Sequence, residues 1–195
     1  WNREHLFPAS KFDNDRSMCA YTDLHHLVAS DASVSGVRGS KDFMSGGTEV
    51  QSGPNGEIEC FGCKDGVDTF EVPNRAKGAL ARMLFYMDVR YDGNDEDHTD
   101  AQGIPWRATS DLGIVQNITE SGPGKIGIHS ELLKWHCRFG VTETEVKRND
   151  RIQSWQGNRN PFIDYPEFVE MIWGVCPVQT ASNVSSSPLD NSPTY

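Results

Sequence analysis

The chain opens with Trp1-Asn2-Arg3-Glu4-His5, followed by Phe7-Pro8, and this stretch sets an acid beside a histidine. An adjacent pair of this kind can serve one phosphate, because the carboxylate can hold a hard cation while the imidazole takes a proton from water. Neighbours in a strand point to opposite faces, so both can flank one cleft only where the strand ends or twists. An exposed strand end with two solvated polar residues is an equally good interpretation from these residues alone.

The composition is that of one soluble domain with a tail. The chain has 195 residues, of which 36% are hydrophobic, and contains no apolar run long enough to cross a membrane. Because a catalytic pair at positions 4 and 5 has almost no strand before it, we expect a segment to be missing before Trp1. The net charge of -10 weighs against nucleic-acid partners in general, although a local basic groove can work inside an acidic molecule.

The five cysteines are an odd number, so at least one is free or lacks its partner. Cys60-Phe61-Gly62-Cys63 could be half of a zinc site, a redox pair or part of a disulfide set. Structural cysteines are favoured over zinc, because the chain has no second CxxC and no histidine at zinc-finger spacing. Scattered cysteines in a loop-rich acidic chain favour an oxidising compartment.

Helical spacing is clearest in the middle of the chain. Apolar residues from Ala76 to Met87 predict a core helix over 75–90 with Asn74 as its N-cap, and Gly78 within it suggests close packing. A second helix is predicted over 130–139, ended by Gly140. Thr142-Glu143-Thr144-Glu145 is a capping box that predicts a helix reaching Trp155. The last predicted helix covers 166–173, with four residues packed inward: Phe168, Val169, Ile172 and Trp173.

The other segments have a strand, loop or turn character. Residues 1–43 mix short strands and turns, residues 44–72 predict hairpins or long glycine-rich loops, and residues 91–128 predict loops. The Ser- and Pro-rich residues 178–195 predict a disordered tail or linker behind a domain of residues 1–177.

Several polar clusters remain open to two interpretations. In His25-His26 we expect one buried, hydrogen-bonded histidine and one exposed, since adjacent histidines make a poor metal site. Arg38, among Gly and Ser, suits a phosphate but could equally be a solvated surface residue. Arg148-Asn149 and the stretch 156–160 predict either a polar network that locks the last helices or a substrate contact. The acidic stretch 92–100 lacks the spacing of an EF-hand and predicts a solvated loop.

The chain resembles the bacterial endonuclease I family of secreted or periplasmic nonspecific nucleases, whose site is a ββα-metal (His-Me finger) core. The resemblance is carried in order along residues 1–174 by six stretches: 2–8, 23–27, 34–39, 77–87, 145–149 and 156–164. It implies an α+β fold with a ββα-metal core, flanking helices and long loops. It also implies a secreted or periplasmic monomer with no membrane association, which typically acts on DNA and often on RNA too.

The resemblance further implies roles for individual residues. His5 would be the general base, Glu4 would hold Mg²⁺ (with Ca²⁺ or Mn²⁺ as alternatives), and Arg38 would contact the phosphate. The products would carry 5′-phosphates, and backbone contacts would explain low sequence preference.

One departure from the family pattern concerns the second metal ligand. The family has an Asn there, and this chain has Ser35. We hypothesise that Ser35 ligates through a water and lowers metal affinity, which a Ser35→Asn variant with unchanged Mg²⁺ affinity and rate would contradict. The rival interpretation is a degenerate nuclease fold that acts as a secreted nucleic-acid-binding or interaction module. A structural extracellular module is weaker, because it has no need of the Glu4-His5 pair.

Overall fold

The N-terminal part of the fold is a strand pair followed by a helix. The computed structural model describes residues 1–50, 60–109 and 111–177. Strand β1 (Asn2–His5) pairs antiparallel with β2 (Leu27–Ser30), and a one-turn helix α1 (Cys19–Thr22) lies between them in the chain. Helix α2 (Ala32–Arg38) follows β2 at once and packs against β1. Its N-cap Asp31 accepts hydrogen bonds from two backbone N–H groups of the first turn, which fixes where the helix begins.

Small sheets and hairpins surround this unit. A four-stranded sheet in the order β3-β6-β5-β4 contains β3 (Asp42–Phe43), β4 (Thr48–Glu49), β5 (Lys64–Asp65) and β6 (Thr69–Glu71). An antiparallel hairpin joins β7 (His98–Thr99) to β8 (Pro105–Trp106), and a parallel pair joins β9 (Gly113–Val115) to β10 (Lys125–Gly127). Short 3₁₀ turns cover Ala9–Phe12 and Ile118–Glu120.

The core is organised around the long helix α3 (Asn74–Arg90), which packs against α4 (His129–Arg138). Leu84, Phe85 and Met87 of α3 are fully buried. Helices α5 (Glu143–Gln156), α6 (Pro161–Asp164) and α7 (Glu167–Trp173) close the domain. Helices and small sheets together confirm the predicted α+β class.

Gly78 marks the tight contact between α3 and the end of α4. A Cβ atom placed there would lie 2.3 Å from the Phe139 carbonyl oxygen and 2.8 Å from Arg82 Nη2. The close packing predicted for this glycine is therefore confirmed. Arg82 is itself buried and donates from Nε to Glu145 Oε1 at 2.7 Å, which ties α3 to the capping box of α5.

Helix ends and some inward faces differ from the sequence prediction. Pro73, not Asn74, is the N-cap of α3, and α4 ends at Arg138, before Gly140. The predicted burial of α7 was correct for Val169 but wrong for Phe168 and Ile172, which are 37% and 55% exposed. The capping box of α5 is confirmed, and the helix extends to a left-handed cap at Gly157.

The short helices α2 and α6 were not predicted. Neither is long enough to show a helical repeat, but each begins with a recognisable signal: Asp31 caps α2, and Asn160-Pro161 places an N-cap before a proline at the first helical position. The predicted tail over 178–195 lies outside the described residues, as does part of the glycine-rich stretch 44–72.

Two disulfides are present, Cys60–Cys63 and Cys137–Cys176, whereas Cys19 is not bonded to another cysteine. The CxxC motif is thus a disulfide, and the zinc alternative is not supported within the described residues. Disulfides of this kind persist in oxidising compartments. No helix in the described part of the chain has the length and hydropathy needed to span a membrane.

Candidate active site

Helix α2 brings two polar side chains onto the carboxylate of Glu4. Glu4 lies in β1 opposite Val28 of β2, and α2 packs over this strand pair. Ser35 and Arg38 are three residues apart and share a face of the helix. The Ser35 hydroxyl donates to Glu4 Oε2, and Arg38 Nη1 donates to Glu4 Oε1 at 2.9 Å. Three of the predicted site residues therefore meet in one cluster.

Arg38 is buried, and most of its guanidinium is used inside the protein. Its side chain is 3% exposed. Besides Glu4, it donates to the backbone carbonyls of His5 at 2.8 Å and Leu6 at 2.5 Å, and it lies over the ring of Phe43 at 4.5 Å. Burial lowers the pKa of Arg38, and the Glu4 carboxylate opposes this shift. Arg38 thus holds the end of β1, and the predicted contact with a phosphate remains a prediction.

His5 lies on the other side of β1, as strand alternation requires. Its Nε2 is 2.9 Å from the carbonyl oxygen of Tyr21, so this nitrogen carries the proton and donates. Of the described residues, none forms a hydrogen bond with Nδ1, which is the nitrogen left to accept a proton. Burial lowers the pKa of His5 below its ordinary value, which favours the neutral imidazole needed in a general base.

The ring of His26 packs against the ring of His5. The two rings are 5.3 Å apart, and His26 Nε2 lies 2.7 Å from the Ala20 carbonyl oxygen in α1. Complete burial lowers the pKa of His26 to about 4, so this histidine is neutral. His25 is also buried, at 1% exposure. The expectation that one of the two adjacent histidines is exposed was therefore wrong, because His26 packs against Ala20 of α1 and His25 packs against Tyr86 of α3.

Asp23 anchors the segment that carries Tyr21. It is buried and accepts hydrogen bonds from the hydroxyls of Tyr86 at 2.7 Å and Tyr91 at 2.8 Å, from Gln156 Nε2 at 2.9 Å and from the His25 N–H at 2.8 Å. Burial alone would raise the pKa of Asp23, but these hydrogen bonds together lower it. A charged carboxylate therefore ties α1 to α3 and α5.

The polar residues near the C-terminal end belong to the same network. Arg148 Nη2 donates to the carbonyls of Leu24 and Leu27, each at 2.6 Å. Asn160 Nδ2 donates to the Arg82 carbonyl at 3.0 Å. The structural alternative for these residues, a network that locks the last helices, matches the observed contacts. The supporting roles of Tyr21 and Asp23 were not predicted, because a backbone carbonyl and contacts across 60 or more residues leave no local pattern.

The Glu4 cluster faces a pocket of about 290 Å³ whose other walls are largely apolar, including Val28, Val34 and Met83. Among the described residues no group of three His, Cys, Asp or Glu side chains lies close enough to hold a metal. Glu4 and Ser35, which both line this pocket, offer oxygen atoms that could hold a cation. Such an oxygen set fits Mg²⁺, which commonly takes one or two carboxylates and keeps several waters.

The chain is similar to proteins of one known family. A family model described as Endonuclease I matches residues 1–167. Extracellular ribonucleases of Bacillus subtilis (strain 168) and Bacillus amyloliquefaciens are 40% and 38% identical to the chain over 174 residues. Each alignment covers 89% of this chain and 54% of the relative, so the chain spans about half the length of these relatives.

Proposed function

The chain belongs to the endonuclease I family, and from this premise we propose that it is a secreted, metal-dependent endonuclease that hydrolyses RNA as well as DNA. The single observation that carries the proposal is the arrangement at the end of β1. His5 is anchored through one nitrogen and its pKa is lowered by burial, while the adjacent Glu4, on the other side of the strand end, is held by Ser35 and Arg38. The extracellular ribonuclease relatives and the two disulfides support secretion.

His5 is proposed to act as the general base. The Tyr21 carbonyl fixes the tautomer and the direction of the ring, so Nδ1 can accept a proton from a water aimed at the phosphorus. Because water is the nucleophile, the reaction does not need a ribose 2′-hydroxyl, and both RNA and DNA are expected substrates. Because the pKa of His5 lies below the ordinary histidine value of 6.5, its imidazole stays unprotonated at lower pH than an ordinary histidine does. The acid limb of the pH–rate profile should therefore lie below pH 6.5.

Glu4 is proposed to hold the metal ion, with Ser35 contributing directly or through a water. When bound, Mg²⁺ would supply charge stabilisation at the scissile phosphate and leaving oxygen. Arg38 is proposed to position Glu4, because its guanidinium donates to Glu4 and to the two carbonyls that end β1. All of these residues belong to one chain, so we propose that a monomer suffices.

The first test is cleavage of a labelled RNA and of plasmid DNA by the purified chain with Mg²⁺, with EDTA and after His5→Ala. General-base catalysis contributes about 10²- to 10⁴-fold, so His5→Ala should lose at least about 100-fold in rate. His129→Ala, which changes a half-buried histidine in the first turn of α4, is the matched control and should cut normally. Cutting that persists in EDTA, or in His5→Ala at a rate close to that of the control, would contradict the proposal.

The second candidate is a module that binds nucleic acid without cutting it, and Ser35 is the observation that favours it. A hydroxyl is shorter than the Asn amide of the family and is engaged with Glu4 here. Binding of RNA without cleavage in Mg²⁺, followed by cleavage in Ser35→Asn, would support this candidate. Equal Mg²⁺ affinity of both forms, measured by calorimetry, would remove it.

A further inference from the structure

A second cleft, separate from the Glu4 pocket, opens beside α1. It has a volume of about 380 Å³. Cys19 and Thr22 of α1 line one part of it, and Gln156 and Asn158 contribute amide groups. The cleft is also lined by three larger groups, namely the guanidinium of Arg90, the imidazole of His98 and the indole of Trp106. The mechanism proposed above uses none of these three.

The aromatic side chains of this cleft are held in place by a hairpin. His98 in β7 lies directly opposite Trp106 in β8. Trp106 Nε1 donates to Asp100 Oδ2 at 3.0 Å, which fixes the plane of the indole. Trp106 is nevertheless partly exposed and His98 is exposed. An oriented and partly exposed indole in a cleft can stack on a planar ligand at little entropic cost.

The hairpin is connected to the segment that positions His5. The Arg107 N–H donates to the Ser17 carbonyl at 2.9 Å, and the Ala20 N–H donates to Thr109 Oγ1 at 3.4 Å. Ser17 lies just before α1 and Ala20 lies within it. The carbonyl of Tyr21, also in α1, accepts the hydrogen bond from His5. The aromatic cleft and the proposed general base are therefore both attached to α1.

The charges around the cleft select the part of a nucleic acid that fits. Arg90 is already paired with Asp95 at 2.9 Å. Asp23 lines the cleft, and the Asp100 carboxylate accepts the hydrogen bond from the Trp106 indole. Such surroundings repel a phosphate, whereas a neutral base can stack on the indole and the imidazole. The net charge of -10 makes a contact that does not depend on phosphates the more useful one for this chain.

We propose that this cleft is a nucleobase subsite that stacks, on Trp106, one base of the single-stranded substrate whose phosphate reacts at His5. The inference rests on the proposed function and names its substrate class. A base within a duplex is paired and stacked on both faces, so it cannot enter the cleft without being extruded. The chain should therefore bind and cut single-stranded RNA in preference to the same sequence in a duplex.

The test measures binding by fluorescence anisotropy in EDTA with a His5→Ala background, so that no probe is cut. The probes are a short single-stranded oligoadenylate RNA and an oligomer of equal length whose ribose-phosphate units lack bases. Stacking on one aromatic ring typically changes affinity by about 5- to 150-fold, so oligoadenylate should bind at least about 5-fold tighter than the abasic oligomer. Trp106→Leu should remove this preference, and Trp106→Phe should keep most of it.

Trp155→Leu is the matched control, because Trp155 is 84% exposed and does not line the cleft. It should keep the preference for oligoadenylate. Thermal unfolding of each variant shows whether the hairpin change has unfolded the domain, and Trp106→Phe keeps the test valid if Trp106→Leu does not fold. Equal binding of the two probes by the parent, or equal effects of the Trp106 and Trp155 changes, would overturn the subsite.

The subsite and the proposed function can fail separately. If Trp106→Leu, made in a chain that keeps His5, leaves RNA cleavage unchanged, the nuclease is supported and the subsite is overturned. A Trp106-dependent preference for oligoadenylate in a chain that cuts nothing would support the subsite and contradict the nuclease.

Discussion

Replacing Arg38 by Met should destabilise the domain strongly, because this arginine is a buried brace. The side chain is 3% exposed and gives hydrogen bonds to the Glu4 carboxylate and to the carbonyls of His5 and Leu6. Met has a side chain of similar length but no hydrogen-bond donor. The Glu4 carboxylate, which is only 12% exposed, would therefore lose its charged partner. Removing one member of a buried ion pair costs about 3–5 kcal/mol.

That loss is a large share of the stability of an ordinary domain, which is about 5–15 kcal/mol. Urea unfolding followed by far-ultraviolet circular dichroism would measure it. Arg3→Met is the matched control, since Arg3 is exposed one residue before Glu4 and its loss should change stability by at most about 0.5 kcal/mol. If Arg38→Met unfolds at the same urea concentration as Arg3→Met, the brace does not exist. Loss of cleavage at unchanged stability would instead support the phosphate contact.

Three further predictions concern stability. Gly78→Ala should cost about 1–3 kcal/mol in urea unfolding, because its methyl group meets a backbone carbonyl, whereas Gly36→Ala in α2 has open space and should be neutral or stabilising. Removing the Cys137–Cys176 disulfide, which joins residues 39 positions apart, by a double change to Ala should cost about 2–4 kcal/mol; unchanged thermal unfolding would contradict this. Lowering the pH from 7.5 to 5 should reduce the free energy of unfolding by about 2 kcal/mol through His26. The reason is that His26 takes up a proton below pH 6.5 in the unfolded chain but only near pH 4 in the folded protein. In the His26→Gln variant, stability should depend less on pH over this range.

Local sequence patterns predicted the regular elements whose cause is local. The capping box at Thr142 and the spacing of apolar residues in α3 depend on contacts within three or four positions, so they are visible in the sequence. Predicted helix ends were off by one or two positions, as at Pro73 and Arg138, because fraying and packing decide the last turn. Amphipathic spacing failed at Phe168 and Ile172, because α7 buries only a narrow face at the edge of the domain.

By itself, the sequence determined the α+β class, the family resemblance, the close approach at Gly78 and the candidate residues Glu4, His5, Ser35 and Arg38. Each of these depends on residue type and on spacing along the chain. Only the tertiary structure decided what surrounds those residues: that Arg38 is buried against Glu4, that the Tyr21 carbonyl fixes His5, and that Asp23 ties α1 to α3. Such contacts join residues 16 to 63 positions apart, where backbone carbonyls and buried carboxylates acquire partners through folding alone.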